Sequence, residues 1–282
     1  MPRGRNDYET AQIQGRLWTP AVLRPQMWMD ASDLSTISAD TNGVNTWRDK
    51  SGNLADFTQA SNTLKPQLVV HKPSGNYSVS FDGVDDYLES STGITSGTFS
   101  GTLTLFYAMT RTSAAQVGTL FQERIAANHK AFEWSFGPNY VGYGGQRVST
   151  YSNTDTTMNF CGSTVYNLLA GSGGVVSQTY TPAAKDKLFV NGQDYSGNIG
   201  VYSIPSVPNI DGTAGSRIGG SVITQVNYPV GYFPGSACEL VALTGAMSSR
   251  DRSLVEGYLG WKWNYRLVAG HPFANRPPLI GD

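Results

Sequence analysis

Acid–base chemistry in this chain would have to come from carboxylates, and the candidates stand apart from one another. Glu133 is the lone acid in AFEWSFG and Glu239 the lone acid in SACELVALTG. Hydrolysis of a glycosidic bond needs two carboxyl groups about 5 to 9 Å apart, and neither glutamate has an acidic partner at an alternating strand position. Desolvation in an apolar strand would raise the pKa of Glu239. An inward carboxylate satisfied by an arginine or a backbone donor is the commoner arrangement, so both glutamates are read as structural. His71, His129 and His271 lie beside Lys72-Pro73, Lys130 and Pro272 and read as solvated or packed residues. The chain has no G-x-S-x-G elbow, no Walker-type phosphate loop and no H-E-x-x-H pair, and Gly171-Ser172-Gly173-Gly174 reads as a flexible turn. No catalytic residue and no cofactor is assigned, and an enzyme is not expected.

Metal chemistry is weighed the same way. Asp82, Asp85, Asp86 and Glu89 offer the oxygen ligands that Ca²⁺ takes at about 2.3 to 2.6 Å. The run FDGVDDYLE, Phe81 to Glu89, reads better as a turn in which Gly83 bends the chain and the acids accept bonds from backbone amides. Asp30, Asp33 and Asp49 are read likewise, and no metal site is assigned. Cys161 and Cys238 lack metal-ligand spacing and are too few for a disulfide framework. Buried free thiols are expected, with a single bridge between them as the alternative.

Binding is the chemistry the residues suit better. Tyr140, Tyr143 and Tyr151 stand among Gly, Asn, Gln and Arg147, and exposed tyrosines stack on sugar faces while polar neighbours bond hydroxyls. Half-buried packing is the competing use of tyrosines in alternating strands. Charged residues are 15% of the chain and the formal net charge is −1, so Ser, Thr, Asn, Gln and Gly must cover much of the surface. Phosphate neutralisation needs a concentrated basic patch, which argues against nucleic acid as a partner. No stretch approaches the roughly 20 apolar residues of a membrane span, and the N-terminus lacks the apolar run of a secretory signal; neither membrane insertion nor that export route is expected.

The elements that position these residues are mostly strands. Alternation or short apolar runs mark Tyr77 to Phe81, Leu103 to Thr110, Gly118 to Glu123, Ala131 to Phe136, Val165 to Ala170, Leu188 to Val190, Arg217 to Gly220 and Ala237 to Leu243. Asn191-Gly192 signals a type I′ hairpin, and 32 glycines with 14 prolines fit many tight turns. One helix is expected, at about 248–265. Ser248 and Asp251 have capping-box spacing, and Leu254, Val255, Tyr258, Leu259 and Trp261 recur at helical intervals as an amphipathic stripe. Gly257 and Gly260 imply a neighbouring surface, expected to be a sheet, close to the helix backbone. Residues 1–25 read as an extended arm with Arg3, Arg5, Tyr8 and Arg16 as polar contacts and Leu17 and Trp18 as anchors. The arm lies either across its own sandwich or on a neighbouring subunit.

The segments MWMDASDLSTI (Met27 to Ile37), TWRDKSGN (Thr46 to Asn53), FDGVDDYLE and EGYLGWKW together resemble the laminin-G-like, concanavalin-like jelly-roll domains common in bacteriophage and bacterial surface proteins. The resemblance implies an all-β, two-sheet antiparallel jelly-roll sandwich over residues 26–282 with one C-terminal helix. It further implies a virion protein, assembled in the host cytoplasm and acting as a capsid decoration or accessory protein. Its implied partners are other virion proteins of capsid or tail, further copies of itself and host-surface glycan. A tail-associated receptor binder is the alternative, and a polysaccharide-degrading enzyme ranks below both.

Overall fold

Short β-rich runs punctuated by glycine and proline build two antiparallel sheets. The computed structural model describes residues 5–53, 56–94, 101–112, 118–126, 129–140, 143–151, 158–163, 172–181, 187–196, 199–201, 215–220 and 231–282; of these, 5–7, 124–163 and 199–201 are described by backbone alone. The elements in chain order are α1 (Arg5–Ile13), β1 (Met27–Asp30), β2 (Ile37–Asp40), β3 (Gly43–Trp47), β4 (Phe57–Thr58), β5 (Gln67–Val70), β6 (Tyr77–Asp82), β7 (Leu88–Ser90), β8 (Leu103–Arg111) and β9 (Gly118–Ala126). There follow β10 (His129–Tyr140), β11 (Tyr143–Tyr151), β12 (Met158–Ser163), β13 (Gly173–Tyr180), β14 (Lys187–Val190), β15 (Gln193–Asp194), β16 (Ile199–Val201), β17 (Ser216–Ile218), β18 (Pro234–Thr244) and α2 (Ser249–Lys262). The first sheet runs β15-β14-β13-β8-β18-β6-β5 with β1 also on β18, and the second runs β16-β12-β11-β10-β9-β17-β7-β4-β3-β2. One hydrophobic cluster holds residues of both, including Trp47, Phe57 and Phe121 from the second sheet and Leu105, Leu240 and Ala242 from the first. This is the β-sandwich expected from the sequence. Of the expected strands, Val165 to Ala170 lies outside the described residues.

β8 and β18 are buried on both faces, which explains their continuous apolar runs. The second sheet covers one face of the first, and α2 packs against β8 and β13 on the other. β18 carries a bulge at Cys238, where Ala237 opposes Met109 and Glu239 already opposes Ala108. The extra residue resets the alternation, a common use of bulges. The hairpin between β14 and β15 turns through Asn191 and Gly192, both with positive φ (51° and 80°), as its turn type requires.

Two expectations about the ends are corrected. Residues 5–13 coil into α1 where an extended arm is expected, and the segment after it docks on its own sandwich. Leu17 bridges Leu279, the Trp18 N–H donates to the Pro278 carbonyl at 3.1 Å, and the Trp18 ring meets Tyr258 edge-on at 6.5 Å. α2 begins as expected: the Asp251 N–H donates to the Ser248 hydroxyl at 3.0 Å, and that hydroxyl donates to the Asp251 carboxylate at 2.7 Å. It is not amphipathic, however, since every residue from Ser253 to Lys262 is buried. Sheet, arm and C-terminal tail enclose it from different sides.

The close approach implied by Gly257 and Gly260 is made by the tail and not by a sheet. A methyl at Gly257 would meet the Cβ and ring of Phe273 at 2.8 Å, and one at Gly260 would meet Leu267 at 3.0 Å. In an open helix, glycine to alanine gains about 1 kcal/mol. Here the Gly257→Ala variant is expected to lose about 1 to 3 kcal/mol through overpacking, read as a lower urea midpoint; a raised midpoint would show that the tail yields.

Candidate functional site

The chemistry of the molecule concentrates where β1, β18 and the last turn of α2 meet. The register of β1 on β18 sets Asp30 directly opposite Glu239, and both are buried. Like charges facing across a strand pair repel. Lys262 resolves this by reaching between them, its Nζ 2.7 Å from Asp30 Oδ1 and 2.7 Å from Glu239 Oε2. It also donates to the Tyr258 hydroxyl at 2.9 Å. The indole N–H of Trp28 donates to Glu239 Oε1 at 2.7 Å and that of Trp263 to Oε2 at 2.8 Å. Lys50 closes the outer side, with Nζ 2.9 Å from both Asp30 Oδ2 and Asp33 Oδ2 and 4.5 Å from the centre of the Trp28 ring.

Protonation follows from these contacts. Burial, reinforced by Asp30, pushes the Glu239 carboxyl above the usual carboxylate range against the pull of Lys262. Burial acts on Asp30 in the same direction, but Lys262 and Lys50 together hold it below that range. Burial lowers the Lys262 ammonium, and Glu239 and Asp30 more than reverse this, so it stays charged. Two acids with pKa values driven apart are a familiar acid–base arrangement. Glu239, however, is 0% exposed and both of its oxygens accept from protein donors, so it joins β1, β18 and α2 from inside the fold. The donors are a lysine and two indoles, not the arginine or backbone groups expected.

Above the cluster lies a solvent-open cleft of about 440 Å³. Tyr8, Gln12, Gly15, Leu17 and Thr19 form its arm side. Trp28, Asp30, Ser32, Asp33 and Lys50 form the sandwich side, with Tyr258 and Lys262 between. Such a volume is within the roughly 300 to 1,000 Å³ of small-molecule sites. The tyrosine hydroxyls stay neutral: burial raises the pKa of both Tyr8 and Tyr258.

The residues singled out from sequence fall in several places. Tyr8 lines the cleft, Arg16 is exposed, and Leu17 and Trp18 are buried against their own sandwich, so these two anchors are not free for a partner. Arg3 lies outside the described residues, and Arg5 is described only as part of α1. Tyr140 and Tyr143 pair across the tip of the β10–β11 hairpin; Arg147 opposes Ser135 and Gly162, and Tyr151 opposes Met158. Their side chains, with those of Glu133, His129 and Cys161, lie outside the description. The acidic turn is built as expected: Asp82 Oδ1 accepts from the N–H groups of Val84, Asp85 and Asp86, and the Asp82 N–H donates to Asp86 at 3.0 Å. Asp33 accepts from the Ser35 N–H and Asp49 from the Ser51 and Asn53 N–H groups, again as turn acids, and Asp49 also accepts from the distant Trp28 N–H at 2.7 Å. Asp30 instead joins the buried cluster. Cys238 is a buried free thiol whose pKa burial raises.

No protein-family model and no curated protein matches the chain. Solved structures share its fold. The binding domain of botulinum neurotoxin serotype D/C is similar at 10% identity and a TM-score of 0.55, covering 84% of this chain and 52% of that one. A botulinum neurotoxin type C structure, described by an interaction with two ganglioside molecules, is similar at 10% identity and a TM-score of 0.54, covering 86% and 53%. The binding domain of Paraclostridial Mosquitocidal Protein 1 is similar at 11% identity and a TM-score of 0.51, covering 79% and 51%. The chain spans about half the length of each. At this identity the likeness shows the sandwich fold.

Both histidines with described side chains are packed and bonded. His271 Nε2 lies 3.1 Å from Glu256 and its Nδ1 accepts from the Phe273 N–H. His71 bonds Ser74 at 2.8 Å and Tyr265 at 2.9 Å, and burial lowers its pKa from 6.5 to about 4. An unfolded chain therefore takes up a proton on His71 between pH 6.5 and 4 that the folded chain refuses. Stability contributed by this group is complete above that window and lost as pH falls through it. Asp86, raised to about 6 by burial first and by Asp82 and Asp85 second, acts in the opposite direction, so the measurement is a difference. Relative to wild type, His71→Gln is expected to flatten the acid loss of urea stability by up to about 1.4 kcal/mol per pH unit; parallel profiles would show that His71 does not titrate late. Lys262→Met removes the cation between the facing acids, leaving Glu239 with none and Asp30 with Lys50 alone, and is expected to cost about 3 to 5 kcal/mol by the same unfolding assay.

Proposed function

We propose that this protein is a non-catalytic binding module that recognises carbohydrate. One observation carries the reading: among the described residues, the facing pair of buried acids is locked shut while a polar cleft of small-molecule size stands open beside it. The sparsely charged surface suits neutral hydroxyl-bearing ligands; two structures of the same fold are binding domains, and a third is described by an interaction with gangliosides. The hairpin tip carrying Tyr140 and Tyr143, with Arg147 and Tyr151 further along β11, is a second glycan-contact segment in this proposal. We place the module on a bacteriophage particle, as the laminin-G-like resemblance implies, where many copies would turn weak sugar contacts into firm attachment.

A second reading, particle decoration through contacts with capsid or tail proteins or with further copies of the chain, is favoured by the outward side of the arm. Arg16 is exposed in this segment, as are Ile13 and Val22, at 87% and 64%. Two measurements separate the readings. A glycan array probed with multivalent full-length protein is expected to give binding without release of reducing ends; sugar release would end the non-catalytic reading, and a blank array would end the carbohydrate one. Co-sedimentation with particles that is lost in an Ile13→Ser, Val22→Ser double variant, while array binding persists, would favour decoration.

A further inference from the structure

We infer that the cleft between the arm and the sandwich is a subsite for a neutral saccharide, and that its occupation fastens the arm to the domain. The inference rests on the carbohydrate-binding reading and assigns it a place and a charge preference.

The charges at the cleft are already paired with one another. Asp30 spends Oδ1 on Lys262 and Ser32 and Oδ2 on Lys50. Asp33 spends Oδ2 on Lys50 and Oδ1 on Ser35. A ligand bearing a full charge finds no uncompensated counter-ion, and capturing one would break a partly buried ion pair, which costs far more than an exposed contact. Groups that are both donor and acceptor meet a different surface. Among the described residues, the Gln12 amide and the Thr19 hydroxyl lining the arm side engage no protein partner. Asp30 Oδ2 and Asp33 Oδ2 each engage Lys50 alone and retain further acceptor capacity, and the phenol of Tyr8 stays protonated. Vicinal hydroxyls of an uncharged sugar ring supply this mixture of donors and acceptors, and the ring's apolar face can lie on the cleft's aromatic side chains. Ion pairs fixed before the ligand arrives also orient their free lone pairs in advance, which reduces the ordering cost of binding.

The arm supplies Tyr8, Gln12 and Thr19, and the sandwich supplies Ser32, Asp33 and Lys50. A ligand bonded to both walls therefore opposes separation of the arm from α2. Linkage requires the converse, so loosening the arm weakens the sugar.

The test uses the full chain with glucose, galactose, mannose, N-acetylglucosamine and their disaccharides, set against glucuronic acid and N-acetylneuraminic acid, in saturation-transfer NMR titrations. Neutral sugars are expected to bind and the two acids to bind at least about tenfold more weakly. Gln12→Ala should raise the dissociation constant about 2- to 10-fold, the value of one hydrogen bond. Gln12→Trp, which fills the cleft from an exposed helix position, should abolish binding, and Thr10→Trp, which puts the same ring on α1 away from the cleft, should leave it unchanged. Saturating sugar should also slow proteolysis of the arm in the wild type and not in Gln12→Trp. Neutral-sugar binding that survives Gln12→Trp would overturn the cleft assignment and leave the carbohydrate reading standing. Preference for the acidic sugars would overturn the charge argument, and no binding of any sugar by the wild type would overturn both.

Discussion

The buried ammonium of Lys262 is the contact on which the rest of the architecture turns. Without it, the register that pairs β1 with β18 would bring two carboxylates together out of reach of water. With it, β1 and the consecutive elements β18 and α2, some 200 positions further along the chain, are committed to one geometry: β1 through Asp30, β18 through Glu239 and α2 through its own last turn. A buried ion pair is a poor source of net stability, because desolvation consumes most of the attraction. Its effect here is on specificity. A one-residue slip of β1 would move Asp30 to the opposite face and leave Lys262 with a single counter-ion. The Cys238 bulge serves the same end, since it returns Glu239 to the face where the lysine arrives.

That arrangement requires a helix that is enclosed on all sides, and the chain provides the enclosure from both of its ends. The tail after α2 places Leu267 and Phe273 against the two helical glycines, and the Trp261 indole N–H donates to the Phe273 carbonyl at 2.8 Å. Glu256 sits inside the same covering, bonded to Ser177 on β13 and to His271 on the tail. The arm completes it through Trp18 and Tyr8. The cleft is what remains where the arm crosses the ion-pair cluster without filling the space.

Local signals in the sequence were enough for the elements but not for the site. Period-two alternation, the Asn191-Gly192 turn and the Ser248–Asp251 cap depend on near neighbours, and each is found where its residues stand. The acidic turn around Gly83 was legible for the same reason. The cluster was not, because Asp30, Glu239 and Lys262 each look ordinary in their own segments and acquire meaning only from a pairing across some 200 positions. One clue was present: Lys262 is flanked by two tryptophans in GWKWN, and a lysine buried among them has to be paired. α1 was missed because PRGRNDYETAQIQG carries little apolar periodicity; its contacts come from Tyr8 and Ala11 after folding.

The meeting of arm and tail has a mechanical consequence. Leu17 lies against Leu279, Trp18 bonds Pro278, and the Ile280 N–H bonds the Arg16 carbonyl at 2.8 Å, so residues 16–18 of the arm and 278–280 of the tail run side by side. A pulling load applied across them would act on these bonds in series, opening them like a zipper before any force reached the long ladder between β8 and β18. The first parts to give way would be the covers of α2 and the floor of the cleft, with the sandwich still closed. Tension would thus find its weakest point at the seam between arm and tail, beside the cleft that Lys262 lines.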